Sequence, residues 1–201
     1  SILFYKSRNA TDGSHTIVQD GDDLGIIKWV ASDGGEFIRA AQIKGEIDGT
    51  PGNDDIPGRI VFETTPDGAF TPTEKMRITN AGNVGIGTNS PNNNLHIHTD
   101  SGDEGILIKS TGDTSNAIIS SANRSSAGAA LNNLQGQWNG TAVADMLFLA
   151  GSDTSNKDDG VIAFRTSAAN DITERMRIDS SGNVGIGDTS PSHTLVVKGV
   201  S

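Results

Sequence analysis

The chain of 201 residues has no cysteine, six prolines and few aromatic side chains, 4% of the total. Without cysteine there is no disulfide scaffold and no thiolate site for zinc or iron–sulfur clusters. Basic residues are also scarce: 15 Lys and Arg stand against 25 Asp and Glu, a formal charge of −10, and they are scattered along the chain. Binding to nucleic acid draws on clustered Lys and Arg, so no nucleic-acid partner is expected. Long apolar runs are missing too. The longest, such as Met146 to Ala150, fall far below the ~20 residues that span a bilayer, so no membrane insertion is expected. The opening Ser1-Ile2-Leu3-Phe4-Tyr5-Lys6 lacks the layout of a signal peptide and starts in strand-like sequence, which reads as a segment of a longer or processed polypeptide.

Glycine is plentiful, with 25 residues, but follows no three-residue period, so the chain is not collagen-like. Leu, Ile, Val and Phe make up about 22% of it, just above the ~20% below which charged chains tend to stay disordered. A core this thin makes oligomerisation the expected remedy.

The organising feature is internal similarity. Residues 73–91, TEKMRITNAGNVGIGTNSP, match residues 173–191, TERMRIDSSGNVGIGDTSP, without a gap. Upstream, GRIVFETT from Gly58 matches GVIAFRTS from Gly160, and QIKGEIDGT from Gln42 matches NLQGQWNGT from Asn133. That alignment places an insertion of about eleven residues around 142–159. The chain therefore reads as two tandem units of one kind, residues 1–104 and 105–201, with the second open to a reading as truncated.

Each unit carries a β signal. Ala41, Ile43, Gly45 and Ile47 alternate with Gln42, Lys44 and Glu46, the period of a half-buried strand, with a helix over 36–44 as the competing reading. Ile60, Phe62 and Thr64 share a face, as do Ile162, Phe164 and Thr166. Turn-forming residues separate these runs about every ten positions, the pattern of an all-β fold. Met76 and Ile78, the Asn80-Ala81-Gly82-Asn83 turn, then Val84 and Ile86 read as a β-hairpin. Gly82 and Gly182 suit a turn with positive φ. Gly85, Gly87, Gly185 and Gly187 leave one face of the returning strand bare, which marks a close approach by another backbone, expected from a neighbouring chain.

These blocks resemble the repeats of tail-fibre and related virion-fibre proteins of tailed bacteriophages, notably marine ones, through Thr-Glu-Lys/Arg-Met-Arg-Ile, GNVGIG and the following Ser-Pro. The likeness extends through DGTPG at Asp48 to Gly52 and PGRIVFETT at Pro57 to Thr65. It implies an elongated, homotrimeric, β-rich shaft or stalk on the virion, serving host attachment alongside other virion proteins, with the host receptor met through another part of the fibre. Many such fibres end in a self-cleaving chaperone, which the sequence up to Ser201 does not contain, so the chain reads as a mature product, a truncated one or an internal fragment; the second unit also lacks DGTPG.

Chemical readings compete with this structural one. GNVGIG has its glycines in the order GxxGxG and continues into Ser-Pro, so neither a dinucleotide nor a P-loop context is met and no cofactor is expected. Asp20-Gly21-Asp22-Asp23 opens like a calcium loop, but Leu24 and Ala31 occupy ligand positions, which favours an acidic turn. His96 and His98 share a strand face and would give six imidazoles in a trimer; solvent-facing histidines are the simpler expectation, and no metal site is assigned. Glu74 and Glu174 could serve as paired carboxylates for glycan cleavage, yet each neighbours arginines, and ion pairing accounts for them. No catalytic residue is assigned and the chain is expected to be no enzyme. Trp29 and Trp138, the only tryptophans, are the candidates for glycan contact in the alternative reading, a glycan-binding or glycan-cleaving adhesin.

Overall fold

A computed structural model describes residues 1–99, 105–109, 117–169 and 171–199. Contacts divide the chain into two units, Ser1–Ile108 and Lys109–Ser201. The described residues contain strands and turns and no helix. Phe37–Ile47 is strand where a helix over 36–44 competed, because a half-apolar run with β-branched residues on one face finds strand partners on both sides.

The first unit holds β1 (Asp23–Ser32), β2 (Phe37–Ile47), β3 (Gly58–Thr64), β4 (Thr73–Ile78), β5 (Val84–Ile86) and β6 (Leu95–Ile97). They lie side by side in chain order in one six-stranded sheet. Strands β1 to β5 form an antiparallel meander, and β6 pairs parallel to β5. The second unit holds β7 (Ala130–Trp138), β8 (Thr141–Ala150), β9 (Gly160–Ala168), β10 (Asp171–Ile178), β11 (Val184–Ile186) and β12 (Leu195–Val197). This sheet also follows chain order and closes on a parallel pair.

The registers correct one alignment. Ile43 lies opposite Phe62, and Met146 lies opposite Phe164. The strand standing against β9 as β2 stands against β3 is therefore β8, not β7, and the counterpart of Gln42 is Asp145. No eleven-residue insertion is needed. The β2–β3 and β8–β9 connections, residues 48–57 and 151–159, differ by one position. What changes is the preceding hairpin: Asp33 to Glu36 join β1 to β2, whereas Asn139-Gly140 alone join β7 to β8. Asn139 and Gly140 have φ of 49° and 81°, the pair of positive values a type I′ turn requires.

The enclosed core is small. Val18, Ile47 and Val61 are buried in the first unit, Leu147 and Ala163 in the second. Phe4 adds a contact from the N-terminal segment: its ring lies where a Cβ on Gly25 would stand.

Candidate assembly surface

In a sheet, residues opposite one another across successive strands project to the same face. One such rung in the first unit runs Ile27, Ile43, Phe62, Met76, Ile86, Ile97 through all six strands. The next runs Gly25, Gly45, Ile60, Ile78, Val84, Leu95. The second unit aligns Leu134, Met146, Phe164, Met176, Ile186, Val197, and beside it Asn132, Phe148, Ile162, Ile178, Val184, Leu195. Each sheet thus carries a largely apolar face that its own chain covers only in part: Phe4 lies over Gly25, while Ile27 is 47% exposed, Ile60 45%, Leu134 52% and Leu195 61%. Monomeric proteins rarely present contiguous apolar surface beyond a few hundred Å².

The opposite face is polar yet better covered. Lys44 Nζ lies 2.5 Å from Glu46 and 3.0 Å from Glu63, and Gln42 Nε2 donates to Glu63. Arg59 reaches Glu46 at 2.7 Å and Asp48 at 2.9 Å. Asp48 also accepts the Asn80 amide at 2.8 Å, tying the β2–β3 loop to the β4–β5 turn. Burial pushes the Glu46 carboxyl up, but the cations of Lys44 and Arg59 outweigh it and hold the group below its usual value. In the second unit Asp145, with its side chain fully covered, takes two hydrogen bonds from Arg165, at 2.8 and 2.5 Å. The Arg165 hydrogen bonds hold the Asp145 carboxyl below the usual range. So Gln42–Glu63 and Asp145–Arg165 occupy the same register with different chemistry, a substitution hidden while Gln42 is aligned with Asn133.

The glycine motif closes on itself. Thr79 N–H donates to the Asn83 carbonyl and Gly82 N–H to the Thr79 carbonyl, both at 2.9 Å, with Gly82 at φ 81°. Asp179, Gly182 (φ 80°) and Asn183 repeat this geometry. After β5 the chain turns back over its own strand. A Cβ on Gly85 would stand 2.6 Å from the Thr88 carbonyl oxygen and 3.4 Å from Pro91 Cγ. On Gly185 it would meet the Asp188 carbonyl, and Pro191 Cγ at 3.4 Å. Gly87 and Gly187, at φ 71° and 67°, lie against the carbonyls of His98 and Lys198. Hydrogen bonds Val84 N to Asn94 O (2.8 Å), His98 N to Ile86 O (2.9 Å) and Asn83 Nδ2 to Pro91 O (3.3 Å) clamp the return. The close neighbour is thus the chain's own backbone, the returning loop at Gly85 and Gly185 and the residue after β6 or β12 at Gly87 and Gly187, rather than the neighbouring chain expected from sequence. This compact return joins the parallel strands β5 and β6 through only residues 87–94, where parallel pairs usually need a dozen or more residues.

The remaining candidates fall into place around these faces. Glu74 and Glu174 accept paired hydrogen bonds from Arg77 and Arg177 at 2.6 to 2.8 Å. Asp22 is held by Arg8 at 2.8 and 2.9 Å and by the Gln19 amide, which bring its carboxyl down to about 2. Asp20 accepts the Gly49 amide at 2.9 Å. The acidic turn is thus built into the fold by hydrogen bonds from its own chain. His96 is half-buried opposite Gly85, unlike the solvent-facing side chain expected, and His98 is exposed, its ring 6.2 Å from that of His96. Trp29 lies half exposed beside the apolar rungs, opposite Ala41, and Trp138 is 75% exposed at the Asn139-Gly140 turn. Sequence reasoning missed the covering residues Thr88, Pro91, Asp188 and Pro191; their signal was the shared Ser-Pro that ends each matching block.

No family model matches the chain, and no curated protein does. Among solved structures, it is similar to the carboxy-terminal domain of the bacteriophage T5 L-shaped tail fibre, with a TM-score of 0.72 at 13% identity, covering 96% of this chain and 88% of that one. The same fibre domain solved with its intra-molecular chaperone domain gives a TM-score of 0.73 at 14% identity, over 96% of this chain and 60% of the other. The chain has the all-β fold of a bacteriophage tail-fibre carboxy-terminal domain.

Proposed function

We propose that the chain is a non-enzymatic structural segment of a virion fibre, a bacteriophage tail-fibre shaft or stalk made of two tandem β-rich units, that assembles as a homotrimer and supports host attachment. The observation that carries this reading is the partly open apolar face on both sheets, in a chain whose fold is that of a phage fibre domain. Three copies turning these faces inward would supply the hydrophobic core that a single chain lacks. A stiff trimer then holds receptor-binding elements away from the particle, so that weak contacts add up. Partners are two further copies, other virion proteins, and a host receptor met through another part of the fibre.

An antibody against this segment, imaged on intact particles by electron microscopy, tests the assignment: label on a tail appendage is expected, and label confined to the capsid contradicts it. A second reading, in which the unit itself engages a host glycan, draws support from Trp138, whose ring lies open at a hairpin tip.

A further inference from the structure

In the second unit a cavity of about 230 Å³ opens between the 120–126 segment and the β8–β9 loop, lined in part by Ser120, Asn123, Arg124, Asp153, Lys157 and Asp159. It is smaller than the ~300–1,000 Å³ of sites for drug-sized ligands, room for about one small ring.

Its charges are unequally committed. Asp159 accepts the Ser152 amide at 2.7 Å and the Asp153 amide at 3.1 Å. Asp153 accepts the Ser155 and Asn156 amides at 2.8 and 3.0 Å, which hold its carboxyl below the usual range, and the Asn156 side chain at 3.1 Å. Both carboxylates are thus occupied by the loop they shape. The cations are not: Arg124 Nε donates to the Ala130 carbonyl at 3.2 Å, leaving both terminal amino groups of its fork for a ligand. Among the described residues neither Arg124 nor Lys157 is in an ion pair. Lys157 is also held at φ 58°, a left-handed conformation that costs a non-glycine residue free energy and clusters at functional sites.

The lining carries two charges of each sign, but the carboxylates are turned to backbone amides and neither cation has one within ion-pair distance, which leaves Arg124 and Lys157 open to an anion; the planar Arg fork matches a carboxylate. Around them the wall offers hydroxyls and an amide, from Ser120, Ser121, Ser125, Ser126, Thr154 and Asn123, groups that both donate and accept hydrogen bonds, as sugar hydroxyls do. We infer that this cavity is a binding site for an acidic saccharide, with Arg124 and Lys157 taking the carboxylate and the 120–126 segment the ring hydroxyls. The inference deepens the glycan-engaging reading and rests on it.

The test is titration calorimetry of the full chain in its native assembly with trigalacturonate, against neutral maltotriose and acetate. Arg124→Gln and Lys157→Gly should each weaken trigalacturonate binding tenfold or more with melting temperature and oligomeric state unchanged; glycine accepts φ 58° without strain, so the second variant removes charge and keeps the loop. Absent saturable binding, an unchanged Kd in both variants, or maltotriose binding as tightly would overturn the site. Acetate displacing trigalacturonate at equal concentration would reduce it to a carboxylate site and overturn the saccharide assignment. Saccharide binding lost in Trp138→Ala but untouched by the two cation variants would refute the cavity while leaving the glycan reading standing.

Discussion

Replacing Gly85 by Ala places a methyl group 2.6 Å from the Thr88 carbonyl oxygen, a separation that side chains do not adopt. The conflict is with backbone, and that backbone is pinned by the Asn83 to Pro91 and Val84 to Asn94 hydrogen bonds. The loop cannot step aside without loosening the parallel β5–β6 pair. Overpacking of this kind costs about 1–3 kcal/mol, set against a gain of about 0.4–1 kcal/mol from restricting the unfolded chain. The net expectation for Gly85→Ala, and equally for Gly185→Ala, is a loss of about 1–2 kcal/mol, a fall of several degrees in melting temperature for a chain of this size. Gly58 is the matched control: its nearest atom would be the Glu46 carbonyl at an ordinary 3.6 Å, and its φ is not positive. Gly58→Ala should be neutral or stabilising. Circular dichroism melts of both variants decide the point. A Gly85→Ala protein as stable as Gly58→Ala would refute the claim that the returning loop is what excludes a side chain.

Other perturbations follow from the same geometry. Asp145→Ala strands Arg165 without its partner and should cost about 1–3 kcal/mol in denaturant unfolding; a cost below 0.5 kcal/mol would show that the pair is idle. The depressed carboxyls of Asp22, Glu46, Asp48 and Asp145 stabilise the fold fully above their unfolded values near ~4. That contribution is lost as pH falls through the depressed folded-state values, about 2 for Asp22, so midpoints should drop on acidification below ~4; constant midpoints contradict the assignment. Ile86→Asp, in the middle of the first apolar rung, should be tolerated by an isolated sheet but disperse a trimer, as sedimentation would reveal.

How much of this was readable in the residues depended on range. Alternation in Ala41 to Ile47 and the Asn80 to Asn83 turn are local, and strand and hairpin followed from them. The need for glycine at 85 and 87 was equally local, but its cause was not. A parallel return over eight residues brings Thr88 and Pro91 onto the strand, and no periodicity reports such a fold-back. The identity of the β2 counterpart failed for a similar reason. Asn133 to Thr141 look like Gln42 to Thr50, yet register follows which apolar residues meet across strands, and Met146 is the residue facing Phe164. The Asp145–Arg165 pair, two chemically unrelated positions twenty residues apart, has no signature short of the register itself.

The central claim, that the apolar faces of both sheets are buried against copies of the same chain, is tested most directly by sedimentation equilibrium of the purified chain. The account predicts a single species of three times the 20.9 kDa chain mass. A folded, cooperatively melting species at 20.9 kDa, stable across dilution, would contradict it.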